Sequence, residues 1–169
     1  GGMITTNSDK LYEVCSSLRG IGIDINSPIE NFTRIGSNCR MSEIQGILGC
    51  FQLKRLDQFV AHRNIIANIY RTVLAPLQEK GLVDFQHHET AIKHSYWRFI
   101  IFLKNITVTR ETIKEKMADK GISVDWPYTP LLHFQPVFKE LYGDRSSGSF
   151  QKSEKLAKTY FCIPIHLGI

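Results

Sequence analysis

No Cys-x-x-Cys pair, Gly-rich phosphate loop, G-x-S-x-G or H-E-x-x-H occurs in this chain of 169 residues. Those absences exclude the short motifs of zinc fingers and redox dithiols, P-loop nucleotidases, serine hydrolases of the nucleophile-elbow type and zincin proteases. No catalytic carboxylate pair stands in a recognisable setting. No apolar run approaches the length of a membrane span, and no signal-peptide pattern opens the chain. Cysteine is sparse: Cys15, Cys39, Cys50 and Cys162 lie far apart. Three of them sit in apolar, periodic surroundings that suit reduced, buried thiols of a cytoplasmic protein rather than a disulfide framework.

What is present is ordinary for a globular domain, with 43% hydrophobic and 22% charged residues. The net charge of +5 is mild. A basic nucleic-acid-binding domain needs a local patch with aromatics interleaved, whereas Lys and Arg are spread here. Sites for anionic small molecules explain the charge equally well, and the reading is no nucleic acid and no membrane. Both ends look cut: the chain opens on GGMITT without an initiator Met and stops at IHLGI, just after an apolar segment.

Residues 3–6 read as a short strand, and Asn7-Ser8 as caps of a helix with Leu11, Val14, Cys15 and Leu18 on one face and Gly20 as its stop. Ser27-Pro28-Ile29-Glu30 has the composition of a one-turn helix. Residues 41–74 read as one long helix ended by Pro76, with Gly46 and Gly49 forming a smooth patch for another backbone. Beyond it, 95–103 (SYWRFIIFL) is a strand, 109–120 a helix capped by Thr109 and stopped by Gly121, and 122–126 a second strand. A flexible loop at 143–149 (GDRSSGS), a helix over 153–160 and a strand over 161–165 follow. The fold class is α/β, divided as the end of a large domain (1–40), a connecting helix (41–77) and a small α+β domain (78–169).

Asn38 and Arg40, in GSNCRMSEIQGILG, are the first candidate site. Asn38 or Ser42 could simply cap the helix with Arg40 solvated. The same residues could hold a phosphate at the positive end of the helix or reach into another subunit. Tyr128 and His133 stand in the Pro-rich loop WPYTPLLHFQPVF, which either lines a ligand cleft or covers the core. His166 in CIPIH has the same ambiguity. His87 and His88 are adjacent, but no carboxylate or Cys stands at ligand spacing, so no metal site is expected.

GGMITTN, SNCRMSEIQGILGCFQLKRLDQFVAHRNIIANIY, YTPLLHFQPVF and AKTYFCIPIHLGI, in that order, resemble the PLP-dependent sugar aminotransferases of the DegT/StrS type. The N-x-R-M-S-E run followed by Q-L-K-R-L-D is the most specific part. The resemblance implies the C-terminal part of a fold type I PLP enzyme that works as a homodimer. It implies that the lysine bonded to pyridoxal 5'-phosphate stands upstream of Gly1, so the Gly-Gly is native and no lysine here, Lys10 included, has that role. It also implies that Asn38, supported by Arg40, reaches the partner subunit's PLP phosphate, and that Tyr128 and His133 border the sugar-nucleotide pocket. Cys39 stands where the family usually has an aromatic residue. The implied reaction moves an amino group from glutamate to a nucleotide-linked keto-sugar, for polysaccharide or amino-sugar biosynthesis. A sugar dehydratase or a non-catalytic binding or regulatory module on the same fold are the alternatives, since the residue that separates them lies upstream.

Overall fold

Where the chain has a partner for its backbone, the expected elements form, and where it has none they do not. The computed structural model describes residues 2–89, 92–105, 107–143 and 148–169. It divides into two units, Gly1–Leu56 and Asp57–Ile169.

In the first unit, helix α1 (Asp9–Arg19) starts at Ser8, whose Oγ accepts the Leu11 N–H at 3.3 Å, with Asp9 and Arg19 complementing the helix dipole. The Gly20 N–H closes it on the Ser16 and Ser17 carbonyls. Residues 3–6, expected as a strand, form none, because no described strand of this chain pairs with them. The expected turn of helix at 27–30 is a bend in which Ser27 Oγ accepts the Ile29 N–H at 3.4 Å. That local bond gives the backbone an alternative to a helical partner. Helix α2 (Glu43–Lys54) opens on a capping box, with Ser42 Oγ accepting from Gln45 N and the Gln45 side chain accepting from Ser42 N.

The single helix expected over 41–74 is two helices, α2 and α3 (Leu56–Glu79), separated at Arg55. Neither Gly46 nor Gly49 breaks α2; the break is a tightened last turn in which Arg55 N–H bonds the Gln52 carbonyl at 3.1 Å. It falls at the boundary between the units, Gly1–Leu56 and Asp57–Ile169. Pro76 does not end α3 but sits inside its last turn. The stop is Gly81 at φ +68°, which lets Gly81 N–H reach the Gln78 carbonyl and Leu82 N–H the Leu77 carbonyl.

In the second unit, β1 (Val83–Phe85), β2 (Phe99–Leu103) and β3 (Tyr160–Ile163) form an antiparallel sheet with β2 in the centre. Alternation along β2 buries Phe99, Ile101 and Leu103 on one face. Against that face pack Ile66, Ala67, Tyr70 and Leu74 of α3, with Val124 and Ile165 completing the cluster. This is the expected α+β layer on a helical spine. Helix α4 (Arg110–Ala118) is capped by Thr109 as expected. The strand expected at 122–126 shrinks to one bridge, Asp125↔Cys162, because Pro127 has no N–H to continue the ladder. Helix α5 (Pro136–Tyr142), preceded by a 3-10 turn at Leu132–Phe134, and helix α6 (Gln151–Thr159) complete the unit. Of the loop expected at 143–149, residues 144–147 lie outside the described residues.

Candidate functional site

Asn38 is held by a close crossing of two loops. Ser37 N–H bonds the Leu18 carbonyl, Cys39 N–H bonds the Arg19 carbonyl, and Gly20 bridges to Asn38, so residues 37–39 are strapped to the end of α1. The crossing requires glycine twice. A Cβ on Gly22, at φ +90°, would lie 1.8 Å from the Arg34 carbonyl oxygen, and one on Gly36 would lie 2.3 Å from the Gly22 nitrogen.

At this crossing Arg40 Nε donates to Asn38 Oδ1 at 3.1 Å. A guanidinium has donors only, so it fixes the amide oxygen toward itself and leaves the two amide hydrogens facing away. The exposed Asn38 therefore presents a donor. It is not the helix cap: Ser42 has that role, and Ser42 Oγ occupies the Gln45 N–H while Glu43 adds acid to the first turn. The α2 terminus is thus less suited to an anion, and the Asn38 side chain adds a donor beside it.

Tyr128 and His133 share a loop but differ in exposure. Tyr128 is 70% exposed at φ +67°. His133 turns inward, its ring tilted against those of Phe134 and Phe150 at centroid distances of 4.1 and 4.8 Å. Its buried Nε2 stands 3.3 Å from Glu154 Oε1, an ion-pair distance without hydrogen-bond alignment. A cleft of about 530 Å³ opens beside it, lined by Leu131, Leu132, His133, Phe138, Tyr142 and Phe150, among others. Glu154 escaped sequence reasoning because QKSEK reads like any solvated helix face.

His166 lies at the rim of another cleft, of about 330 Å³, where Arg98 is doubly bonded to Asp125 at 2.6 and 2.7 Å. That pairing commits the guanidinium to a structural tie between the entry to β2 and the segment after α4. Of the cysteines, Cys162 is buried, and burial pushes its thiol up from the usual value. Cys50 is exposed, contrary to the expectation of a buried thiol, since α2 buries none of its residues, and Cys39, between Asn38 and Arg40, is exposed too. His88 packs with His94 and Tyr96 rather than with His87. Among the described residues no group of three or more His, Cys, Asp or Glu could hold a metal ion, and no helix is long and apolar enough to cross a membrane.

Three kinds of comparison agree with this architecture. A model of the DegT/DnrJ/EryC1/StrS aminotransferase family matches residues 1–169. GDP-perosamine synthase of Escherichia coli O157:H7 is 30% identical over 142 residues, 84% of this chain and 37% of that protein. The protein of the same name from Caulobacter vibrioides is 30% identical over 170 residues, 100% of this chain and 44% of its own length. Among solved structures, NtdA from Bacillus subtilis with bound cofactor PMP matches with a TM-score of 0.78 at 25% identity, over 96% of this chain and 36% of that one. The chain therefore spans well under half the length of these relatives. Its fold is part of the fold type I architecture of PLP-dependent transferases, as the resemblance implied. Matched by the family model from end to end, the chain belongs to the DegT/DnrJ/EryC1/StrS aminotransferase family.

Proposed function

We propose that this chain is the C-terminal portion of a cytoplasmic, homodimeric PLP-dependent aminotransferase. The whole protein transfers an amino group from glutamate to a nucleotide-linked keto-sugar, for amino-sugar or polysaccharide biosynthesis. The lysine bonded to the cofactor stands upstream of Gly1, so this chain alone is inactive. Pyridoxal phosphate, when bound, supplies the electron sink for breaking a C–H bond next to nitrogen. The residues here bind and orient. Asn38 donates its amide hydrogens to the partner subunit's cofactor phosphate, and Arg40 holds Asn38 in the donating orientation. Tyr128 and His133 belong to the acceptor side.

The observation that carries this reading is the Arg40–Asn38 bond of 3.1 Å, because it turns the amide oxygen toward the guanidinium and the amide hydrogens outward, which suits a phosphate oxygen. A second support is α2, which follows Asn38 directly and buries none of its residues within this chain, as a helix meant for an interface would.

The test uses the protein that includes the residues upstream of Gly1. With PLP it should develop an absorbance band that borohydride fixes covalently to one upstream lysine. Asn38→Ala should weaken PLP retention by roughly 10–100-fold, the range for losing a hydrogen bond to a charged group. A full-length protein with no such band would overturn the enzyme reading in favour of a binding module. Histidine at the upstream position would favour dehydration.

A further inference from the structure

Glu154 lies in the first turn of α6, yet its carboxylate faces two other segments, residues 148–150 and His133. It accepts the Gly148 N–H at 2.9 and 2.8 Å to its two oxygens, and the Phe150 N–H at 3.2 Å. It also faces His133 Nε2 at 3.3 Å, with the two side chains only 12% and 11% exposed. A helix cap alone would need just the Phe150 N–H. A carboxylate this closed from water is costly unless donors meet it; here the Gly148 and Phe150 N–H groups donate to it while the His133 ring stands against it at ion-pair distance. His133 and Phe150, whose ring centroids lie 4.8 Å apart, are walls of that cleft together with Leu132, Phe138 and Tyr142 among others.

We propose that Glu154 is a positioning residue for the acceptor side of the reaction. Its carboxylate fixes His133 and residues 148–150 as one block, and so sets how tightly the nucleotide-linked sugar is held. This rests on the assignment of His133 to the acceptor side, and Glu154 itself touches neither cofactor nor sugar.

Transamination runs in two separable halves, which makes the role testable in the whole dimeric protein. Glu154→Gln keeps the size and one acceptor oxygen while removing the charge. It should raise amide hydrogen exchange at Gly148 and Phe150 by ~5-fold or more. It should raise the KM for the nucleotide sugar about tenfold while the glutamate half-reaction, followed by cofactor absorbance, stays within about twofold. Glu154→Asp, which retains the charge, should recover part of the loss. The double variant His133→Asn/Glu154→Gln should be no worse than His133→Asn alone. Unchanged exchange at the two amides, multiplying losses in the double variant, or equal slowing of both half-reactions would each overturn the proposal. If the wild-type protein shows no glutamate half-reaction, the aminotransferase reading fails and the acceptor-side role falls with it. The exchange measurement then still decides whether the carboxylate holds the block together.

Discussion

Between Asp57 and Ile169, eleven buried side chains close around one face of β2, whereas in Gly1–Leu56 the buried residues are Ser17 and Gly22 among those described. The contrast is not one of composition. Ile44, Ile47, Leu48, Phe51 and Leu53 on α2 are as apolar as the FIIFL of β2, and all of them are exposed. The second unit carries its own core. The first is ordered by backbone bonds and by two glycines that let loops cross, and its α2 apolar residues stay exposed. Exposed apolar surface on this scale marks an interaction site in a native protein.

The largest expected effect tests that contrast on one residue type. Phe99 is 2% exposed and meets the rings of Tyr70, Phe85 and Tyr96, so Phe99→Ala should lower the unfolding free energy of this chain by about 3–5 kcal/mol. Phe51 is 64% exposed, so Phe51→Ala should change it by less than about 0.5 kcal/mol in urea unfolding. In the whole protein the same Phe51→Ala should instead weaken self-association, visible as a rise in the dimer dissociation constant in sedimentation. If Phe51→Ala unfolds this chain as Phe99→Ala does, the first unit has a core that its exposed side chains conceal.

Sequence reasoning succeeded where the determinants are local and failed where a partner decides. The run FIIFL, the cap at Thr109 and the helix at 9–19 declare themselves through alternation, a hydroxyl in the right place and i, i+3, i+4 spacing. Residues 3–6 and 122–126 have strand composition, but a strand exists only beside another strand, and Pro127 ends the pairing of the second after one bridge. The break at Arg55 carries no Gly or Pro to announce it. At the site, Asn38 and Arg40 were legible as a pair because they are neighbours in sequence. Their orientation was not, since it depends on Arg40 bonding Asn38 rather than solvent. His133 was legible as a loop histidine, but Glu154 is distant in sequence and could not be paired with it by spacing.

Glycine sharpens the comparison inside the first unit, with smaller energies. Gly36→Ala would place a methyl 2.3 Å from the Gly22 nitrogen and 2.8 Å from the Leu18 carbonyl oxygen, both backbone atoms that cannot swing aside. A cost of about 1–3 kcal/mol follows, read as faster amide exchange at Ser37 and Cys39. Gly46→Ala meets open space in mid-helix and should stabilise α2 by up to about 1 kcal/mol. In the whole dimer the sign at position 46 should reverse if the Gly46–Gly49 patch receives another backbone. A stabilising Gly46→Ala in both contexts would remove that patch from the interface.

The smallest effect concerns protons. His94 packs against the rings of His88 and Tyr96, and its Nδ1 accepts the Tyr96 N–H at 3.0 Å, which fixes the neutral ring with its proton on Nε2. Burial first, then the nearby charges of His88 and Arg71, hold its pKa below the ordinary 6.5. The unfolded chain therefore takes up a proton at a higher pH than the folded one. The stabilising contribution is complete above pH 6.5 and is lost as the pH falls through the lowered folded value. The group is partly solvated, so screening keeps the loss small, under about 1 kcal/mol. His94→Asn retains an oxygen that can accept the Tyr96 N–H but cannot titrate. Comparing urea midpoints at pH 7.5 and pH 5.0, the wild-type chain should lose more stability than this variant. Parallel losses would mean that the Tyr96 bond survives protonation of the ring, and that the second unit, unlike a site built to bind anions, is indifferent to charge at this edge of its core.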